Sequence, residues 1–288
     1  MGPLSVAQYI RPGRLEFDLV IMDEASQVRP EEGLGAIARG KQIVIVGDPK
    51  QLPPTSFFDR LGETPVNDEE ELALDDSESI LDICMQTYRP ARRLSWHYRS
   101  EHESLINYSN HEFYDKDLIL FPSPTGIRHG LGIRFHYIKN ALYEARRNKA
   151  EAEAVARAVV SHVRRYKDLS LGVGTFNLQQ KELIEDRIER FRTVDPVLEE
   201  YILKQSANNT PFFIKNLENI QGDERDVIFI STTYGPDSKS KRVMQRFGPI
   251  NSPNGWRRLN VIVTRAKKRV EVFSSMMSSD ILVTSTSS

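Results

Sequence analysis

Cysteine is nearly missing from this sequence. Cys84 stands alone among 288 residues, which excludes an internal disulfide framework and any cysteine-built zinc site. Net charge is missing too: 39 Lys+Arg face 40 Asp+Glu, so any nucleic-acid or membrane affinity would have to come from a local patch. No apolar run approaches the roughly 20 residues that cross a bilayer, and Met1-Gly2-Pro3 opens no signal peptide. The six histidines are scattered, with His97 and His102 the nearest pair and no carboxylate pattern beside them; they read as surface or packing residues. A phosphate-binding P-loop is also lacking. The one Gly-Lys pair, Gly40-Lys41, has Gly35 at the right spacing, but Gln42 replaces the required Ser or Thr. That pair also runs into an apolar stretch instead of opening a helix. These absences point to a cytoplasmic, soluble α/β protein with no membrane partner.

What the sequence does have is organised around Phe17-Asp18-Leu19-Val20-Ile21-Met22-Asp23-Glu24-Ala25-Ser26-Gln27. The apolar part predicts a strand buried on both faces of a parallel sheet, and it ends in two adjacent carboxylates. Acids at the carboxyl end of such a strand lie where open α/β sheets bind ligands. Arg29-Pro30-Glu31-Glu32 predicts a helix start, with Leu34, Ile37 and Ala38 facing inward and Gly40 as its stop. A second strand, Gln42–Val46, runs into Gly47-Asp48-Pro49-Lys50-Gln51-Leu52-Pro53-Pro54, completing a right-handed βαβ unit. Residues 63 to 82 are strongly acidic and predict a solvated loop, with a helix beginning over Ser79 to Met85.

A domain boundary is expected near Tyr88-Arg89-Pro90, giving a first domain over 1–89 and a second over 90–288. In the second, a helical stretch ends near Tyr114 and a strand covers Ile133–Ile138. Asn148 and Glu151 form a capping-box pattern ahead of a helix whose face is Ala152, Val155, Ala156, Val159, Val160 and Val163. A strand over Leu171–Phe176 leads into a helix capped near Asn177, with Ile184, Ile188 and Phe191 inward, and 193–210 reads as a partly helical excursion. Strands follow at Val227–Ser231 and Val270–Phe273, separated by a basic loop, Asp237–Arg246, and a helix over Trp256–Lys268. Alternating α and β elements again predict a parallel sheet.

Six of these segments, in this order, resemble the boxes of superfamily 1 helicases of the nonsense-decay and Dna2-like branch. Asp23-Glu24-Ala25-Ser26-Gln27 resembles the Walker B box and Gly47–Pro54 motif III. His97-Tyr98-Arg99 is similar to motif IV, and Thr175 through Gln180 to the segment after it. Gln221-Gly222-Asp223-Glu224-Arg225-Asp226-Val227 is similar to motif V, and Arg258–Lys267 to motif VI. The resemblance implies an α/β P-loop NTPase fold of RecA-like parallel sheets, one partial and one complete. It implies ATP and Mg2+ as cofactors, with Asp23 holding the metal, Glu24 activating water and Gln51 sensing the γ-phosphate. Arg99 and Arg265 would be arginine fingers from the second domain. Gly47, Asp48, Gly222 and Glu224 would bind the nucleotide, Glu224 through its ribose. Thr175, Phe176, Gln180 and Gln221 would meet single-stranded DNA or, less favoured, RNA. A planar, permanently charged guanidinium suits charge developing on a transferring phosphoryl group.

The sequence departs from that pattern where the P-loop should precede Asp23. The reading is therefore the end of one RecA-like domain joined to a second, inactive alone, with the missing part of the first domain as its natural partner and self-association through exposed apolar surface. The alternative is a catalytically dead module that binds nucleic acid or a partner while retaining the motifs.

Overall fold

The computed structural model describes residues 2–11, 13–54, 79–124 and 130–282. The chain forms two compact units, Met1–Leu94 and Ser95–Ser288. No helix among the described residues is long and apolar enough to cross a membrane.

The first unit is small. Helix α1 (Pro3–Tyr9) packs beside α2 (Pro30–Ile37), and strands β1 (Val20–Met22) and β2 (Ile43–Ile45) pair in parallel, with Ile21 opposite Val44. α3 (Ile80–Thr87) starts on Ser79, whose hydroxyl accepts from the Asp82 amide while Asp82 bonds back to Ser79. That reciprocal pair satisfies two amides that a helix start otherwise leaves open. Met22, Ala25, Ala36, Ile80, Leu81 and Cys84 form the core.

Two expectations for this unit need correcting. β1 is not buried on both faces: Ile21 is 64% exposed and Val44 45%, because among the described residues this sheet has two strands and only one covered face. The inward face of α2 is Gly33 and Ala36, while Leu34 and Ala38 are exposed and Ile37 is half-buried. Gly33 allows this rotation, since its missing side chain is replaced by Ile80 and Met22 at contact distance. The acidic stretch over 63–78 lies outside the described residues.

The second unit is a five-stranded, all-parallel sheet in the order β3 (Gly132–Tyr137), β7 (Ala266–Ser274), β6 (Arg225–Ser231), β4 (Leu171–Thr175), β5 (Phe213–Asn216). α4 (Ser104–Glu112) precedes it. α5 (Lys149–Arg165), α6 (Leu178–Arg192), α7 (Pro196–Ala207) and α8 (Trp256–Val263) make the crossovers. β4 is buried along its whole length and β6 at every residue but Asp226, as expected of parallel strands covered on both faces. α5 lays Ala152, Val155, Ala156, Val159 and Val163 against Val173, Val227 and Phe229, with Val160 partly buried; each fully buried valine contributes about 1.5–3 kcal/mol.

Strand β5 was not foreseen. It holds only two apolar residues and is an edge strand defined by its pairing with β4, not by its own pattern. The helix expected over Trp256–Lys268 stops at Val263. The Thr264 hydroxyl bonds back to the carbonyls of Asn260 and Val261, and the chain then enters the β6–β7 ladder at Ala266. The capping box at α5 is half made. The Asn148 side chain accepts from the Glu151 amide, but the Glu151 carboxylate turns into the protein, and the Asn148 amide bonds to Gln180 instead.

Candidate active site

In the first unit, parallel pairing brings two loops to the same sheet edge. Val46 donates to the Met22 carbonyl at 2.8 Å and Ala25 to the Val46 carbonyl at 2.9 Å, so Asp23 and Glu24 leave β1 beside the point where Gly47 leaves β2. A Cβ on Gly47 would lie 3.0 Å from the Ser26 nitrogen and 2.9 Å from Leu81, so this close seat requires glycine. Glu24 has φ 52 and ψ 36, the left-handed region, which costs a non-glycine residue roughly 1–2 kcal/mol. Such strain collects at functional sites. Its amide bonds to its neighbour Asp23 at 2.9 Å, and Gln27 donates to its carboxylate at 3.2 Å; both acids remain exposed. In the second loop Asp48 accepts from the Lys50 amide at 2.9 Å and from Gln51 Nε2 at 3.0 Å. Asp48 and Gly47 therefore shape the loop. Gln51 Oε1 is buried without a partner among the described residues, an acceptor left for a donor such as water.

Asp23 fits a magnesium ion of the kind that accompanies nucleotides. Such an ion takes one or two carboxylates and completes its shell with phosphates and waters, so it needs no dense protein cage. Among the described residues no cluster of three or more metal-ligating side chains exists. The Gly40-Lys41 decoy is resolved: Gly40 pairs with Phe17, and Lys41 forms a 3.1 Å ion pair with Asp18.

The second unit divides its predicted residues between two ends of the sheet. At the amino ends of β6 and β7, the register Arg225 opposite Ala266 sets Glu224 beside Arg265. Glu224 is gripped by Lys267 at 2.6 Å and Arg99 at 3.2 Å. The Lys267 bond, then the charges of Lys267, Arg99 and Arg265, hold its carboxyl below the usual range against partial burial. Gly222 adopts φ 84, and nothing lies within 4 Å of where its Cβ would be, so the turn needs glycine and leaves space above it. Gln221 precedes it in the same turn. Arg265 is buried, with Nε donating to the Val261 carbonyl at 2.8 Å and Nη2 to the Thr264 hydroxyl at 3.0 Å.

At the carboxyl end of β4 sit Thr175, Phe176 and Gln180. Thr175 and Gln180 are fully buried. The Thr175 hydroxyl donates to the Asn177 carbonyl, and Gln180 bonds to Asn148 and Ser231. These two side chains offer no surface for a strand, which corrects the expectation of direct contact. Phe176 is half-buried, 6.4 Å from the Tyr234 ring. Sequence reasoning gave no role of its own to Lys267 and only a helix-capping one to Glu151. Lys267 shares its segment with Arg265, but its partner Glu224 is distant in the chain. Glu151 looked like a cap and is instead a buried acid joining α5 to the ends of β6 and β7.

Two family models described as AAA domain match the chain, over residues 133–277 and 5–58. An uncharacterized ATP-dependent helicase of Mycoplasma pneumoniae is 35% identical over 272 residues, covering 92% of this chain and 24% of its own length. Helicase SEN1 of Saccharomyces cerevisiae is 24% identical, covering 92% of this chain and 11% of its own. The DNA replication ATP-dependent helicase/nuclease dna2 of Schizosaccharomyces pombe is 24% identical, covering 91% and 19%. This chain thus spans a quarter or less of each relative's length. An arterivirus nonstructural protein 10 (helicase) solved with DNA covers 92% of this chain and 41% of its own, at 12% identity and a TM-score of 0.41.

Proposed function

This chain belongs to the AAA domain family, in the superfamily 1 branch of ATP-dependent helicases that includes Sen1 and Dna2, and from that membership we propose that it is a portion of a motor coupling ATP hydrolysis to movement on a single nucleic-acid strand. The observation that carries the proposal is the seating of Asp23 and Glu24 against the Gly47–Gln51 loop through the Ala25–Val46 hydrogen bond. Asp23 would hold Mg2+, which supplies charge neutralisation at the phosphates. Glu24 would take a proton from the attacking water, and Gln51 Oε1 is the acceptor suited to orient it. Around the nucleotide, the open turn at Gly222 and the Glu224 carboxylate would receive the sugar.

Arg99 is the better placed of the two proposed fingers. It is about 40% exposed and held by one ion pair that a phosphate could replace. Arg265, with two hydrogen bonds to its own helix end, would act by fixing Glu224 and the β7 start unless it is released. An arginine finger is worth about 10³–10⁵ in rate.

The 288-residue sequence has no P-loop to cradle phosphates, so the chain alone should turn over no ATP, whereas a longer polypeptide carrying such a loop ahead of Asp23 should. Steady-state hydrolysis with and without single-stranded DNA and RNA tests this. Turnover by the 288-residue chain refutes the division of labour. No turnover by either form, with strand binding retained, turns the reading to a binding module.

A further inference from the structure

Three basic side chains act on one acid at the amino ends of β6 and β7, and they share it unequally. Lys267 Nζ lies 2.6 Å from Glu224 Oε1 and Arg99 Nε 3.2 Å from Oε2, with the charge of Arg265 also felt by the carboxylate. Each oxygen of Glu224 thus meets one cation. An arginine beside a carboxylate commonly makes two parallel bonds to both oxygens instead. That pairing is not formed here. Arg99 approaches through Nε, and its two terminal nitrogens carry no hydrogen bond among the described residues.

The backbone, not the charges, fixes this convergence. The Glu101 amide donates to the Lys267 carbonyl at 2.7 Å and the Arg225 amide to the Arg265 carbonyl at 3.1 Å. The segments bearing Arg99 and Glu224 are therefore both fastened to the start of β7, where Lys267 stands. The turn that carries Arg99 is closed by the His97 ring, whose Nε2 accepts from the Ser100 amide at 3.2 Å. Burial and the Arg99 charge push the His97 pKa down, which keeps the ring neutral and able to accept. Neighbouring acids have cations of their own: Asp223 lies 2.5 Å from Lys215, and Lys268 lies 3.4 Å from Asp226 and 3.7 Å from Glu101.

Stability does not account for the arrangement. The side chains of Arg99, Glu224 and Lys267 are 41%, 39% and 40% exposed, and ion pairs at such sites contribute little. One carboxylate among three cations leaves a positive excess, which suits an arriving anion. Lys267 adds a restraint: with Oε1 held, only Oε2 faces Arg99. Were Oε1 released, the carboxylate could turn to take both terminal nitrogens of Arg99, the fork that matches a phosphate.

We propose that Lys267 is a positioning residue that keeps Arg99 available: it holds Glu224 by one oxygen and so prevents the carboxylate from closing on the arginine's two terminal nitrogens. The proposal rests on the motor reading above, in which Arg99 serves a nucleotide phosphate. Glu224 keeps acceptor sites for a sugar hydroxyl, since a carboxylate has about four.

The test is nitrogen-15 NMR of the arginine side chains in the 288-residue chain, whose half-exposed cluster lets single variants keep the fold. In the wild type the terminal nitrogens of Arg99 should rotate freely. Lys267→Met should arrest that rotation, the signature of two-bond pairing, and adding Glu224→Gln should release it. Lys268→Met removes a neighbouring charge without freeing Glu224 and should change nothing. Arrested rotation already in the wild type, free rotation in Lys267→Met, or arrest that survives Glu224→Gln overturns the proposal. In a longer polypeptide that carries a P-loop, Lys267→Met should lower kcat for ATP at least about tenfold, part of the roughly 10³–10⁵ that a finger is worth. Glu224→Gln should recover kcat in that variant even where it raises KM. Losses that multiply instead show that Lys267 acts apart from Glu224 and overturn the restraint. Absence of hydrolysis by the longer polypeptide refutes the motor reading, and the NMR result then judges the restraint by itself.

Discussion

Glu151 should make the stability of the second unit fall as pH rises. Its carboxylate is fully buried; Oε1 accepts from the Ser231 hydroxyl and the Thr233 amide, both at 2.6 Å. Burial pushes the carboxyl up from an ordinary 4.5 to about 7, against hydrogen bonds from Ser231, Thr233 and Ser275 that pull it down. A raised folded-state pKa means the native protein holds the proton more tightly than the unfolded chain. The contribution is therefore complete below pH 4.5 and is lost as pH climbs through about 7. At about 1.4 kcal/mol per pH unit between those limits, the loss reaches roughly 3 kcal/mol. Glu151→Gln removes the titration but sets an amide against the Asn148 side-chain amide, costing about 1 kcal/mol. Both tryptophans, Trp96 and Trp256, lie in the second unit, so their fluorescence reports its unfolding alone. Wild type should be the more stable form near pH 5. Between pH 5 and pH 8 the difference should move by about 2–3 kcal/mol toward the glutamine form, roughly 5–10 °C in melting temperature. Because other titrating groups cancel in the difference, a flat difference over that range refutes the buried-acid account.

A second buried charge predicts a loss at any pH. Arg269 is 1% exposed, 2.7 Å from Glu271, bonded to the Gly130 carbonyl and stacked 4.6 Å over Tyr166. Arg269→Ala leaves the buried Glu271 carboxylate with the His136 ring at 2.8 Å as its remaining partner, and should cost up to about 3–5 kcal/mol in tryptophan-monitored urea unfolding; a cost below about 1 kcal/mol would show that His136 or water compensates for the lost guanidinium. Cys84, the sole thiol, is buried in the core of the first unit, and burial pushes its pKa up. It should react with a thiol reagent at least about tenfold more slowly than in urea. Reaction at the unfolded rate would mean that the first unit does not close over it.

The motif strands were legible because each is a short apolar run ending in polar residues, and the helix faces of α5 and α6 because their period is strict. What escaped the sequence was decided by partners distant in the chain. β5 is a strand only because β4 offers it an edge. Lys267 looks helical beside Arg265, and the ladder with β6 overrides that propensity. Thr175 and Gln180 carry polar groups at a strand end, and nothing local says that Asn148 and Ser231 enclose them. Glu24 gave no hint of its left-handed backbone, which follows from the tight seat of Ala25 under Val46.

The claim that Glu24 and its loop form a hydrolytic site is tested most directly by Glu24→Gln in a polypeptide that carries both these motifs and a P-loop. Strand-stimulated ATP hydrolysis should fall by about 10²–10⁴ while nucleotide binding is retained, since the substitution removes a base and keeps the shape. Hydrolysis within a few-fold of wild type would contradict the account and assign the proton to another group.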